Sequence, residues 1–289
     1  MSEQNLNKEE LEGINVLSLF DGMSCGQIAL NEANINYVNY FSSEVDAHTL
    51  KVTNKNYPNT QQLGSILSLK GENLPKIDLL FGGSPCQSFS RAGDNTGFEG
   101  KSGLFWEFVR VLKEVKPTYF LLENVVMKQE WQDVISEALG VKPIEISSSK
   151  FLPQMRKRLY WTNIPNIQQP EQVEYKISDF IEGEGFPSSC DVKRVFKKKK
   201  IFNTLTATYW KGIRGSSRPA VSIREGFLDD DRIAHRMLTP NECEAIQGVP
   251  KDYTDCVSKT QRYKMLGNGW TVPVITHIFK HLPEDFFKK

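Results

Sequence analysis

The chain has 289 residues, enough for one large domain or one domain with a smaller lobe. Hydrophobic residues make up 39% and charged residues 25%, the balance of a globular protein with a buried core, and no apolar run is long enough to span a membrane. The net charge of +1 is unevenly spread: residues 191–224 hold ten basic residues and one acidic, a local +9 that leaves −8 for the rest. A basic segment on an acidic body fits a polyanion partner, although a lysine run such as Lys197 to Lys200 is also what a solvated loop looks like.

The start, MSEQNLNKEELEG, is polar and acidic and lacks the basic-then-apolar order of a secretory signal. The five cysteines form no C-x-x-C pair and are odd in number, which argues against a disulfide framework or a structural zinc site and for a reducing compartment. The four histidines form no ligand-like cluster, so no metal is expected.

In chain order, NVLSLF (15–20) reads as a strand, Gly22 to Gly26 break it, and QIALNEAN reads as a helix. VNYFSS (38–43) is the next strand, followed by a helix from Asp46 to about Asn56. IDLLFGG (77–83) is a buried strand ending in glycines. GLFWEFVRVLKEV (103–115) has helical spacing, with Leu104, Phe108, Val111 and Leu112 expected on one face. TYFLLEN (118–124), the helical EWQDVISEAL and the strand RLYWTNI (158–164) close the series. Repeated βα units predict an α/β fold, a mostly parallel sheet with helices on both faces. Ligands of such sheets bind outside the carboxyl ends of the strands, where Asp21-Gly22, Glu44, Gly82 to Cys86 and Glu123-Asn124 fall.

After about residue 165 the pattern turns basic, polar and turn-rich. The expected division is a catalytic domain of residues 13–165 plus 258–289 and a small lobe with its hinge at 166–257. TPNECEAIQGVP (239–250) reads as a helix with Thr239 as N-cap and Pro240 in its first turn, closing at Gly248. TVPVITHIFKHL (271–282) reads as a strand or turn leading into an apolar helix.

Three segments carry possible chemistry. In SPCQS, Cys86 follows a buried strand, two glycines and a proline, a setting that presents a thiol at a sheet edge, although a lone cysteine is commonly a small apolar filler. In LLENV, Glu123 follows an apolar strand, where a carboxylate must be paired or used; a capping or ion-pair role would also satisfy it. Together they make a nucleophile and an acid possible. In FDGMSCG, glycines let a ligand approach the backbone, and Glu44, 18 residues past Gly26, suits a ribose hydroxyl. That spacing is not G-x-G-x-x-G, so it indicates a nucleoside without saying which.

FDGMSCG, GGSPCQSFS, ENV, QMRKRLYW, RMLTPNECEAIQGVP and GNGWTVPV, in this order over residues 14–275, closely resemble the cytosine-5 DNA methyltransferases. SEV at the second strand and the tryptophan of GNGWTVPV look most like the vertebrate de novo enzymes and similar phage or bacterial forms. The resemblance implies a Rossmann-like S-adenosylmethionine-dependent sheet with a small target-recognition lobe. It implies Cys86 as the nucleophile toward carbon 6 of a flipped-out cytosine and Glu123 on the base nitrogen. Arg158 would meet the base carbonyl oxygen, and Arg156 would lie nearer the phosphates or the loop. For S-adenosylmethionine it implies Phe20 beside adenine, Glu44 with Val45 on the ribose side, and Asp21, Gly22 and Gly26 around the methionine part. Pro85, Asn268 and Trp270 would close the pocket. Many relatives carry an Asp after the third strand that touches adenine; the matching stretch here, LGSI, has Ser65.

For DNA the resemblance implies contacts from Gln87, Ser88 and Arg91 in the loop after Cys86, and from Thr206, Arg214 and Arg218 in the small lobe. The expected partner is double-stranded DNA, without membrane or metal, with self-association possible. The expected setting is a bacterial or phage-infected cytoplasm, as in restriction-modification, or a eukaryotic nucleus. Alternatives are a tRNA cytosine-5 methyltransferase on the same scaffold, an inactive DNA-binding regulator, which would lack Cys86 or Glu123, and a bare basic DNA-binding protein.

Overall fold

A computed structural model describes residues 13–85, 103–182, 201–211, 221–222 and 235–287. Cys86, Gln87, Ser88, Arg91, Lys197 to Lys200, Arg214 and Arg218 therefore lie outside the described residues. The main sheet has seven strands in the order β3-β2-β1-β4-β5-β8-β6. These are β1 (Ile14–Leu19), β2 (Tyr37–Ser43), β3 (Gln61–Gln62), β4 (Leu79–Gly83), β5 (Tyr119–Val125), β6 (Ile144–Ser147) and β8 (Lys157–Thr162). The short β7 (Gln154–Met155) pairs instead with β9 (Phe202–Asn203), and β10 (Val221–Ser222) with β11 (His235–Arg236).

β1 to β5 pair in parallel, while β8 runs antiparallel to both β5 and β6. The sheet is thus mostly parallel, as the βα pattern requires, with one reversed strand inserted near an edge. That reversal was not legible in RLYWTNI, because a strand buried on both faces reads alike in either direction. The carboxyl ends of β1, β2, β4 and β5 meet along one edge, joined by the amino end of β8, which brings Arg158 beside Val125.

Side chains alternate between the two faces of the sheet. Val16, Leu79, Phe81, Leu121 and Tyr160 belong to one buried cluster, and Leu17, Leu80, Leu122, Leu159 and Trp161 to the other. The first face is covered by α1 (Cys25–Glu32) and α7 (Val272–Phe279), the second by α3 (Leu104–Val115) and α4 (Gln129–Leu139). Each fully buried Leu, Ile or Phe contributes about 1.5–3 kcal/mol, so the two layers carry most of the stability. On α3 the buried residues are Phe105, Phe108, Val109 and Val111; the inward face is rotated from the expected one, and Leu104 turns toward the cleft.

The other helices are α2 (Ala47–Asn56), α5 (Pro240–Ala245) and α6 (Lys259–Asn268). Asp46 caps α2 by accepting from the His48 amide at 2.9 Å. α5 opens on a full capping box, Thr239 with Glu242. Its end is a Schellman arrangement, with Val249 N–H on Glu244 O and Gly248 N–H on Ala245 O, and Gly248 at φ +71°. α7 begins directly at Val272, with no strand before it. Within 166–257, Phe202, Leu205, Tyr209, Leu238, Cys243 and Ile246 are buried in the same cluster as α1 and α7, so this stretch is anchored in the core of the sheet domain.

Among the described residues no helix is long and apolar enough to cross a membrane. Cys25, Cys243 and Cys256 are free thiols.

Candidate active site

A cavity of about 580 Å³ opens at the carboxyl edge of the sheet. Its size and its mixture of apolar wall and convergent polar groups suit a small-molecule ligand. Of the residues expected on the cofactor, Phe20, Asp21, Gly22, Gly26, Glu44, Val45, Pro85, Asn268 and Trp270 line it, as do Glu123, Arg156 and Arg158.

The side formed by β1 and β2 is built from turns. Phe20 leaves β1 at φ 57° and Gly22 follows at φ +59°. A phenylalanine in the left-handed region costs of order 1 kcal/mol or more, which the surrounding structure must offset. Glu44 is held by backbone alone: Oε2 accepts from Gly22 N at 2.8 Å, and Oε1 from Val45 N and Asp46 N at 2.7 and 2.8 Å. A carboxylate has about four acceptor positions, so three amides leave one for a ligand hydroxyl. Asp21 is different. Its carboxylate is buried and accepts from the hydroxyls of Ser18, Ser24, Tyr40 and Ser42. Burial pushes it above the usual carboxylate range, against the pull of those donors. Asp21 therefore organises the turn that borders the cavity, its carboxylate already engaged by four hydroxyls.

The side formed by β4, β5 and β8 is built from side chains that reach across the chain. Glu123, at the end of β5, is held through Oε1 by Arg158 Nε at 3.0 Å and through Oε2 by Trp270 Nε1 at 3.1 Å. Gly83 lies directly beneath: a Cβ there would come within 2.9 Å of the indole nitrogen and 3.0 Å of Glu123 Oε2. Asn124 donates to Ser84 Oγ at 3.0 Å and so fixes the start of the segment that leads through Pro85 to Cys86.

Two placements differ from expectation. Arg156 has described partners that were not foreseen. It is buried, and its guanidinium donates to the carbonyls of Leu205, Gly267 and Gly269 at 2.9, 3.2 and 3.1 Å. Arg156 stands at the break between β7 and β8; it borders the cavity and ties it to the lobe and the tail, while Arg158 holds Glu123. Ser65 does not line the cavity; its hydroxyl accepts from the Leu67 amide and its carbonyl from Ser68, closing a local turn. Gly26 does border the cavity, but a Cβ there would meet the Phe81 ring at 2.4 Å, so helix packing is what demands glycine. Thr206 is exposed and its backbone packs on Gly267.

Asn124 lines the cavity wall at the strand end where it was expected, while sequence reasoning missed Thr49, Leu104 and Lys264 there. Lys264 pairs with Asp46 at 3.0 Å across the rim. Their signal lay in helix faces and long-range contacts that no local motif shows. Cys25 also lines the cavity, but burial pushes its thiol up to about 12, so it stays protonated and unreactive at neutral pH.

The model of the C-5 cytosine-specific DNA methylase family matches residues 14–227 and 184–284. The chain belongs to this family. Among the relatives of this family member, the type II methyltransferase M.MspI of Moraxella sp is 30% identical over 277 residues, covering 84% of this chain and 64% of that protein. The orphan methyltransferase M.SPRI of Bacillus phage SPR is 38% identical over 186 residues, 58% of this chain and 42% of that protein. The chain thus spans less than two thirds of the length of either. The solved structure of the Entamoeba histolytica methyltransferase EhMeth shares the fold, with a TM-score of 0.76 at 21% identity over 94% of this chain and 98% of that one.

Proposed function

We propose that this C-5 cytosine methylase acts on double-stranded DNA, taking its methyl group from S-adenosylmethionine and using Cys86 as a covalent nucleophile. The observation that carries the reading is the meeting, in one cavity, of Glu123 clamped by Arg158 with the segment that enters Cys86, opposite a nucleoside-type wall. That wall fits the proposed ligand: Phe20 offers an aromatic face, Glu44 has one acceptor position left for a ribose hydroxyl, and Gly22 lets a chain pass close to backbone. Lys264, the lysine of the wall, is engaged by Asp46, which suits a ligand without phosphate.

When bound, S-adenosylmethionine supplies an electrophilic sulfonium methyl for carbon 5 of the base. The protein makes carbon 5 nucleophilic. Cys86 Sγ bonds to carbon 6 and the electron pair of the 5,6 double bond moves toward carbon 5. Glu123, sharing a proton with nitrogen 3, stabilises the charge that this attack sends through carbon 4 to that nitrogen. Arg158 uses Nε on Glu123 and one Nη1–H on the Lys157 carbonyl, which leaves further N–H donors for the base carbonyl oxygen. After the methyl transfer, solvent water takes the carbon-5 proton, the 5,6 double bond re-forms and Cys86 leaves as the thiolate. Carbons 5 and 6 are stacked inside a duplex, so the cytosine must swing out to reach the cavity. We assign residues 13–165 and 258–289 to catalysis. The small lobe of 166–257, with Thr206, Arg214, Arg218 and the basic run, is assigned to the DNA.

Labelled S-adenosylmethionine offered with unmethylated DNA and with tRNA tests the reading. Label at carbon 5 of DNA cytosine is expected. Label in tRNA alone would refute the DNA substrate. Cys86→Ser is expected to lower turnover by roughly 10³-fold or more while cofactor affinity holds; substantial residual transfer would refute the covalent step.

A further inference from the structure

Trp270 stands between the cofactor wall and the acid. Its indole N–H is the donor on Glu123 Oε2, while Arg158 holds the other oxygen. The indole is fixed from several directions. The Phe81 ring of β4 packs against it with centroids 5.7 Å apart. Gly83 brings the β4 backbone directly under the hydrogen bond. The peptide just before it is pinned where Gly269 O accepts from Arg156 Nη2 at 3.1 Å. An indole N–H is a donor only and cannot take a proton back. It therefore fixes which lone pairs of the carboxyl remain to face a base, and prevents the group from turning over.

We propose that Trp270 is a positioning residue for Glu123: its indole N–H orients the carboxyl toward the target base and ties that orientation to the wall of the cofactor cavity. The inference rests on the reading of Glu123 as the group on the base nitrogen. Among the described residues, the charged and titratable groups around Glu123 are Arg158 and Tyr160 on β8 and Arg156 before it. Arg156 is committed to backbone carbonyls. Burial, and then the Glu123 carboxylate, push the Tyr160 phenol up, so it stays neutral.

Trp270→Phe keeps a ring against Phe81 and deletes the N–H. At saturating S-adenosylmethionine and DNA, kcat is expected to fall about tenfold to a hundredfold, the size of losing one hydrogen bond to a charged group. The cofactor Kd is expected to stay within about threefold, since the ring remains as wall. Gly83→Ala, whose Cβ would push between Trp270 and Glu123 with the indole still present, should lower kcat in the same way. Thermal melting identifies either variant if it fails to fold. A wild type that methylates DNA, beside a Trp270→Phe enzyme with kcat within twofold, would overturn the inference and leave the reading of the site standing. So would a loss confined to cofactor affinity. A wild type that transfers no methyl group to DNA or tRNA would overturn the underlying reading, and the inference with it.

Discussion

The two sides of the cleft are held by different means. On the β1–β2 side, Glu44 is fixed by three backbone amides within two turns, and Asp21 by hydroxyls of the same two strands and the turn between β1 and α1. On the β4–β5–β8 side, Glu123 is fixed by Arg158 and by Trp270, which lies 147 residues away in sequence. Trp270 is in turn held through Arg156. The first side draws its partners from two neighbouring strands and the turns that follow them. The second exists only once the tail has docked and β8 has inserted in reverse. The nucleoside wall is thus a local construction, and the acid is a product of the whole fold.

The strongest way to break that contrast is at Arg156. Its guanidinium joins the β9–lobe junction at Leu205 to the tail at Gly267 and Gly269. Arg156→Met leaves three carbonyls without their donor in a buried site. The expected cost is about 3–5 kcal/mol of stability, as for removing one partner of a buried charged group. Chemical denaturation would read this directly. A loss under about 1 kcal/mol would show that the tail docks without the clamp, and would place the acid side among locally built features.

Glu44→Ala probes the other side with a smaller expected effect. It removes the acceptor assigned to the ribose and releases the amides of Gly22, Val45 and Asp46. Cofactor binding should weaken about tenfold to a hundredfold, in the range of one hydrogen bond to a charged group. Melting of the ligand-free protein should change little, since the neighbouring amides can turn to water. An unchanged Kd by calorimetry would remove Glu44 from the cofactor and leave it as a turn-forming residue.

This division also explains what was legible in the sequence. Apolar runs ending in Gly, Asp or Glu marked β1, β2, β4 and β5 to within a residue or two, because a strand covered on both faces must be apolar along its length. The cavity-lining residues of the first two strand ends follow from those same positions. Less local features were opaque. Arg156 and Arg158 are two apart, so strand periodicity puts both on one face, and both border the cavity; that Arg156 donates to carbonyls of the lobe and tail while Arg158 holds Glu123 is set by residues distant in sequence. Ser65 was read through a resemblance at a stretch where this chain closes a serine turn instead. α6, KTQRYKMLGN, was not foreseen. Its sequence is polar and carries a glycine, and its inward face is set by Tyr263, Met265 and Leu266 against distant residues. Trp270's hold on Glu123 leaves no local trace at all.

The smallest expected effect tests the one described ion pair that spans the two sides at the cavity rim. Lys264, on the tail helix α6, reaches Asp46, the N-cap of α2, at 3.0 Å. Partial burial pushes the Asp46 carboxyl up, but the Lys264 ammonium and the amide of His48 outweigh it and hold it below its ordinary value. A carboxyl depressed in the folded state stabilises the protein above its unfolded-state value, and that contribution is lost as pH falls through the folded-state value. Both partners are substantially exposed, so Lys264→Met should cost no more than about 1 kcal/mol at pH 7. The difference in melting between variant and wild type should shrink as the pH is lowered past the carboxylate range, and shrink also in high salt. A difference that persists at low pH would mean that Lys264 supports the rim through its aliphatic stem rather than its charge. The two sides of the cleft would then be joined by packing, with the ion pair incidental to it.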